Sequence, residues 1–361
     1  MYTAGNVALF VLILLVGGSL GVRLRQRSAR PAVRRALGAG VLALVVLCLS
    51  GALAELVARF VYDRPVVVAR QQLREYRPGH LAYQPDLRMV IPASPGWRPT
   101  RAATNADGIR SAVPRAARPG ERRVMFLGDS WTFGLGLDEH ETYPLEAERL
   151  LRAQDPSPAW VAINAGIPGY NVFSAVALFE WLAPRYRPRV AVFTVAEHDD
   201  VEPDLSDEIQ RGDRALGRTL ARFALYRFAR FGAAWHAYRT RLAERAEQRL
   251  VRRPDDPPGL PERLARTAET LARVARENDC RVVFNVVAGP LDPRAAADHA
   301  RRIEQSTFRA FALPGVRFAF TDWDRRDPAL GIPNDGHPAP AGARLLARSV
   351  VPAIRAAADG R

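Results

Sequence analysis

Residues 1–22 and 36–54 of this 361-residue chain carry no charge at all, and between them stand six arginines and no acid: Arg23, Arg25, Arg27, Arg30, Arg34 and Arg35. Each uncharged run is close to the ~20 apolar residues that a helix needs to cross the hydrocarbon of a bilayer. A water-soluble core has no place for two such runs beside an arginine cluster, so the pattern predicts two transmembrane helices joined by a short basic loop. A cleaved signal peptide carries its positive charge ahead of the apolar stretch, whereas here the charge follows it, and Val46-Leu47 before Cys48 are not the small residues that precede a lipidated cysteine. The positive-inside rule keeps the arginine loop in the cytoplasm. The N-terminus and everything after about Arg59 are then expected on the extracytoplasmic side.

The remaining charge narrows the partners. The sequence contains no lysine, and its 52 basic residues are all arginine, for a net charge of +14. Residues 211–253 hold twelve of them against Asp213, Glu244 and Glu247, so this stretch and the loop at 23–35 account for the whole excess. The rest of the chain is close to neutral, which excludes the broad phosphate-neutralising face of a nucleic-acid-binding protein. Two cysteines, Cys48 in an apolar run and Cys280 before a predicted strand, can form neither a disulfide framework nor a thiolate metal site.

Beyond the anchor (1–62) comes a proline-rich lead-in (63–120), read as irregular with a few strands. From there to residue 361 the pattern changes. Five short apolar runs rich in β-branched or aromatic residues lie at 124–128, 160–165, 190–196, 281–288 and 316–322. Segments with helical spacing fall at 143–153, 171–183, 260–277, 295–312 and 339–357. Strands that are continuously apolar and alternate with helices indicate an α/β fold, a parallel sheet covered on both faces. Residues 201–258 interrupt the rhythm. Their aromatic positions, among them Phe223, Phe228, Phe231 and Trp235, are interleaved with arginines, as in an amphipathic helix that either caps the sheet or rests on anionic lipid or polysaccharide.

In such a sheet, function collects where the strand ends meet the following helices. The first run is followed by Gly128-Asp129-Ser130, the second by Asn164-Ala165-Gly166-Ile167-Pro168-Gly169, the third by Glu197-His198-Asp199, and the last helix is preceded by Asn334-Asp335-Gly336-His337. A serine hydroxyl is a poor nucleophile until a base takes its proton, and a neutral histidine held by a carboxylate is the usual base. Ser130, His337 and Asp335 supply that set.

These blocks resemble the SGNH (GDSL-type) hydrolase superfamily, and TNADGIR at 104–110 resembles the lead-in of its membrane-anchored bacterial members, which implies that Asn105 and Arg110 belong to a turn rather than to the site. The resemblance covers about residues 123–357, the insertion aside. It implies a flavodoxin-like α/β/α sandwich, Ser130 as nucleophile, His337 as base, Asp335 as its orienting acid, and an oxyanion hole built from the N–H groups of Ser130 and Gly169. In the third block His198 stands where the family has asparagine, and its ring N–H is expected to serve as the third donor. In the last block Asn334 occupies the place three before the histidine where many relatives carry the acid, which leaves it the fallback to Asp335. The activity implied is that of a membrane-anchored esterase acting on an acylated glycan or lipid. Two alternatives share these parts: an O-acyltransferase of envelope polysaccharide and a catalytically weak scaffold.

Other motifs carry less. The glycines of GLGLDE lack dinucleotide spacing, and His140, His236 and His299 show no paired-ligand pattern, so no cofactor and no metal are expected. Trp131 and Tyr170 adjoin the expected site, either shaping an acyl pocket or packing at strand ends. Asp199 and Asp200 read as helix caps. The oligomeric state is not encoded in any pattern of this chain.

Overall fold

The computed structural model describes residues 3–28, 30–62, 73–77, 80–91, 96–157, 159–196, 259–289, 298–324, 326–333 and 335–360. They fall into two compact units, one within residues 1–64 and one from Pro65 onward. His198, Asp199, Asp200, the whole insertion at 201–258 and Asn334 lie outside the described residues.

The first unit is a pair of helices, α1 (Thr3–Arg27) and α2 (Pro31–Tyr62). Gly17 and Gly21, one helical turn apart on α1, meet Leu44 and Val41 of α2 so closely that a Cβ on either glycine would overlap the facing side chain. Small residues at this spacing let two helix backbones approach closely. The outer surface is apolar: Leu42, Leu47 and Leu53 are 64%, 71% and 62% exposed. Among the described residues one stretch, Pro31–Ala54 with a mean hydropathy of 2.4, is long and apolar enough to cross a membrane.

The second unit is mixed α/β. Two short antiparallel ribbons come first, β1 (Leu73–Arg77) with β2 (His80–Tyr83), and β3 (Arg88–Ile91) with β4 (Thr100–Ala103). Five parallel strands follow: β5 (Glu121–Gly128), β6 (Ala159–Gly166), β7 (Val190–Ala196), β8 (Arg281–Ala288) and β9 (Val316–Asp322), in the order β6-β5-β7-β8-β9. The α-helices among the described residues are the single turn α3 (Ser130–Phe133), then α4 (Tyr143–Gln154), α5 (Val172–Tyr186), α6 (Leu260–Glu277), α7 (His299–Gln305) and α8 (Pro340–Ala358). All five sheet strands thus form where continuous apolar runs predict them. The expected single helix over 295–312 does not form. Ser306 ends α7, and its hydroxyl accepts from the Phe308 N–H at 3.1 Å to start a separate 3₁₀ turn, Thr307–Phe311. A short hydroxyl side chain that offers the backbone a local partner is a common interruption of a helix.

Alternate residues of each strand feed two cores. Val124, Phe126, Val190, Val192 and Val283 pack with Tyr143, Ala147 and Leu151 of α4 and Leu346, Val350 and Ile354 of α8. On the other face Phe193 meets Phe179 of α5 edge-on and stacks on Phe284, which also contacts Phe308 and Phe311. Because β6 pairs with one edge of β5 and β7 with the other, the chain changes direction across the sheet at the end of β5. Loops leave such a switch point in opposite directions and open a crevice at the strand ends.

Candidate active site

β5 delivers Ser130 to that crevice. Its last residue is Gly128, and Asp129 then caps α3, accepting the Trp131 N–H on Oδ1 at 2.8 Å. Burial pushes the Asp129 carboxyl above the usual carboxylate range, against the opposing pull of the Trp131 N–H and the nearby His337. The backbone of Phe133 bonds Asp129 O at 3.0 Å and that of Gly134 bonds Ser130 O at 3.0 Å, closing the turn. The end of β6 approaches from the side: a Cβ on Gly166 would lie 2.2 Å from Phe133 N. Asn164, buried, accepts the Gly166 N–H at 3.1 Å and donates to Phe133 O at 3.3 Å.

His337 and Asp335 stand on a small hairpin before α8. Gly331 bridges Pro338, Ile332 N–H donates to His337 O at 2.7 Å, Asp335 N–H to Ile332 O at 3.1 Å, and Ala339 N–H to Leu330 O at 2.8 Å. The hairpin points the imidazole at the serine: His337 Nε2 lies 2.9 Å from Ser130 Oγ, and His337 Nδ1 is hydrogen-bonded to Asp335 Oδ1. Ser130 and a pair of residues more than 200 positions later in the chain thereby form one hydrogen-bonded line from hydroxyl to carboxylate. With 18% of the imidazole and 25% of the carboxylate side chain exposed, the line opens to solvent on one side, as a site for an external substrate requires.

Gly169 lies in the turn between β6 and α5, with a φ of +82° that favours glycine, and Tyr170 N–H closes that turn on Ile167 O at 3.1 Å. Trp131 is half-buried against Trp323 at the end of β9, ring centroids 4.5 Å apart, while Tyr170 is buried. Among the described residues no group of three or more His, Cys, Asp or Glu side chains is placed to hold a metal ion.

The lead-in brings side chains to the same place that its sequence did not advertise. Trp97 Nε1 donates to Gly136 O at 2.7 Å, in the loop after α3. Asn105 does make the expected turn, accepting the Gly108 N–H on its carbonyl at 2.8 Å. Arg110 goes further: it is 2% exposed and donates to Phe133 O (3.0 Å), Gly134 O (2.8 Å), Leu137 O (2.8 Å) and Arg101 O (3.1 Å). Burial pulls its guanidinium down to about 10, so it stays charged at neutral pH.

No family model matches this chain, and no curated relative does. The solved structures it resembles include esterases. The structure of TesA is 17% identical, with 65% of this chain and 99% of TesA covered at a TM-score of 0.35. A two-domain esterase active on acetylated mannans is 14% identical, with 66% of this chain and 50% of the esterase covered at 0.39. An acetyl xylan esterase from Geobacillus stearothermophilus is 15% identical, with 64% and 94% covered at 0.36.

Proposed function

We propose that this protein is a serine ester hydrolase of the SGNH type, held at a membrane by a two-helix hairpin with its α/β unit on the extracytoplasmic side. The observation that carries the chemistry is the line Ser130 Oγ, His337 Nε2, His337 Nδ1, Asp335 Oδ1 at a strand-end crevice. In this reading Ser130 Oγ attacks the ester carbonyl while His337 Nε2 takes its proton. Asp335 holds the ring in the tautomer that leaves Nε2 free to accept, and it offsets the imidazolium that forms. The tetrahedral oxyanion is received by the Ser130 and Gly169 N–H groups and by His198 in place of the family's asparagine. His337 returns the proton to the leaving alcohol, and a water molecule, activated by the same histidine, releases the acid from Ser130. The flavodoxin-like sandwich implied by the resemblance fits the strand order β6-β5-β7-β8-β9. The substrate is an acyl ester of a glycan or lipid, and Trp131, next to Ser130 in the chain and half-buried, is the aromatic side chain assigned to contact its sugar ring or acyl chain.

A fluorophosphonate probe tests the chemistry. The full chain in detergent should be labelled, hydrolyse p-nitrophenyl acetate, and lose both with Ser130→Ala. Labelling that survives this substitution would refute the assignment. Added oligosaccharide that accepts the acyl group in place of water would move the reading to acyl transfer. For topology, a reporter fused after Asp63 should be active outside the cytoplasm and one fused at Ser28 inside; the reverse pattern would remove the hairpin model.

A further inference from the structure

We infer that Arg110, in the lead-in before the sheet, is a positioning residue for Ser130, an inference that rests on Ser130 being the nucleophile. A helix of one turn cannot hold itself, because nucleating it fixes several backbone angles for one or two hydrogen bonds. The C-terminal carbonyls of α3 also have no partners within the turn. Arg110 supplies partners there, beside Asn164, which donates to Phe133 O at 3.3 Å, and the Leu137 N–H, which donates to Gly134 O at 3.1 Å. Two of its nitrogens span the carbonyls of Phe133 and Gly134 at the end of α3, and that of Leu137 in the loop beyond, while its guanidinium lies over the Phe133 ring at 5.0 Å. The fourth carbonyl, Arg101 O, ties the same group to β4.

The local sequence explains why Arg110 points inward. Asn105 Oδ1 accepts the Asp107 N–H at 2.9 Å, and Gly108 brings the turn so near Tyr83 that a Cβ there would lie 1.9 Å from its carbonyl oxygen. Tyr83 itself rests on Phe133, centroids 5.3 Å apart. Asp107, Arg115, Asn105 and Tyr186 lock the other side of the turn, with Tyr186 Oη donating to Asp107 Oδ2 at 2.8 Å. Among the described residues no carboxylate is hydrogen-bonded to Arg110, and its two terminal nitrogens are committed to backbone carbonyls, three of the four in the segment just after Ser130. A displacement of Ser130 by an ångström or less would spoil its alignment with His337 without altering any group that contacts substrate.

The test compares Arg110→Met and Arg110→Lys with Arg123→Met in the full chain. Arg123 is a matched control: 1% exposed and bonded to the carbonyls of Arg115, Ala116 and Tyr186, but at the start of β5. With p-nitrophenyl acetate well below each Tm, Arg110→Met should lower kcat about 10-fold to 10²-fold with KM within about twofold, and fluorophosphonate labelling should slow by the same factor. Arg110→Lys should recover part of that loss, because a compact ammonium reaches fewer of the carbonyls. Arg123→Met should lose Tm but keep kcat. Wild-type kcat and labelling rate in Arg110→Met, or in Arg110→Lys if the methionine variant does not fold, would overturn the inference. So would an equal kcat loss in Arg123→Met, which would mark the effect as general loosening. A wild-type chain that is not labelled at Ser130 removes the nucleophile itself, and that failure is seen before any arginine variant is measured.

Discussion

At the two ends of β5 a buried arginine gathers backbone carbonyls, yet the two are balanced differently. Arg123, at the start, is paired with Glu121 two residues earlier, its Nε at 3.0 Å and a second nitrogen at 2.8 Å from the same carboxylate oxygen. Its charge is offset locally, and its carbonyl partners belong to the lead-in and to the end of α5. Among the described residues Arg110 is hydrogen-bonded only to carbonyls, all but one of them in the segment that follows Ser130. The difference teaches that one device serves two ends: an ion-paired arginine that closes the floor of the sheet, and an unpaired one that shapes its working rim. The carboxylates divide the same way. At the floor, burial alone would raise Asp107 and Glu121, but the guanidinium groups of Arg115 and Arg123, with the Tyr186 hydroxyl on Asp107, hold both below the usual range. At the rim burial wins, and Asp129 is raised.

The largest expected effect separates rim chemistry from fold. His337→Ala should lower kcat by about 10⁴-fold or more, since Ser130 then keeps its proton. Thermal unfolding should hardly change, because the imidazole sits on a solvent-open hairpin. A large Tm loss would show that the rim is also structural and would blur the contrast.

Gly166→Ala comes next. Its methyl would press on Phe133 N and Thr132 C, so α3 must shift, and kcat should fall about 10²-fold. Steady-state kinetics with labelling rates would detect it, and unchanged rates would show that α3 yields without moving Ser130. Arg123→Met should leave kcat within about twofold and lower Tm by roughly 5 °C, the cost of leaving buried carbonyls unpaired.

The smallest effects are in pH. A carboxylate depressed in the folded state adds stability that is fully present above its unfolded value and is lost as pH falls through its folded one. Asp107→Asn should therefore flatten the acid side of the Tm profile below about pH 4. A raised carboxyl does the opposite: the folded state holds the proton longer, so stability falls as pH rises from about 4 through the folded value. Asp129→Asn should remove that decline. Equal slopes in the two variants would break the contrast between floor and rim.

Local pattern reached far into this molecule. The five strands were legible because each is buried on both faces and so reads as an unbroken apolar run, and α4, α5, α6 and α8 because one apolar face repeats along each. The blocks at Ser130, Gly169 and His337 were legible because turns at strand ends need glycine, aspartate and proline in fixed places. Arg110 and Arg123 were not. In a chain whose 52 basic residues are all arginine, a buried guanidinium looks like any exposed one until its carbonyl partners are in place. β5 consequently starts at Glu121, three residues before its apolar run. The break at Ser306 was hidden for a related reason, since helical spacing continues across it and only the hydroxyl's bond to Phe308 N ends the helix.

The sequence by itself determined what depends on neighbours along the chain: uncharged runs of membrane-spanning length, strand and helix alternation, and the residue types at each turn. Tertiary structure decided what depends on distance through space. It brought His337 within 2.9 Å of Ser130 across 207 positions and turned Arg110 onto the carbonyls just after Ser130, because hydrogen-bond partners far apart in the chain are chosen by the packing of the sheet and its helices.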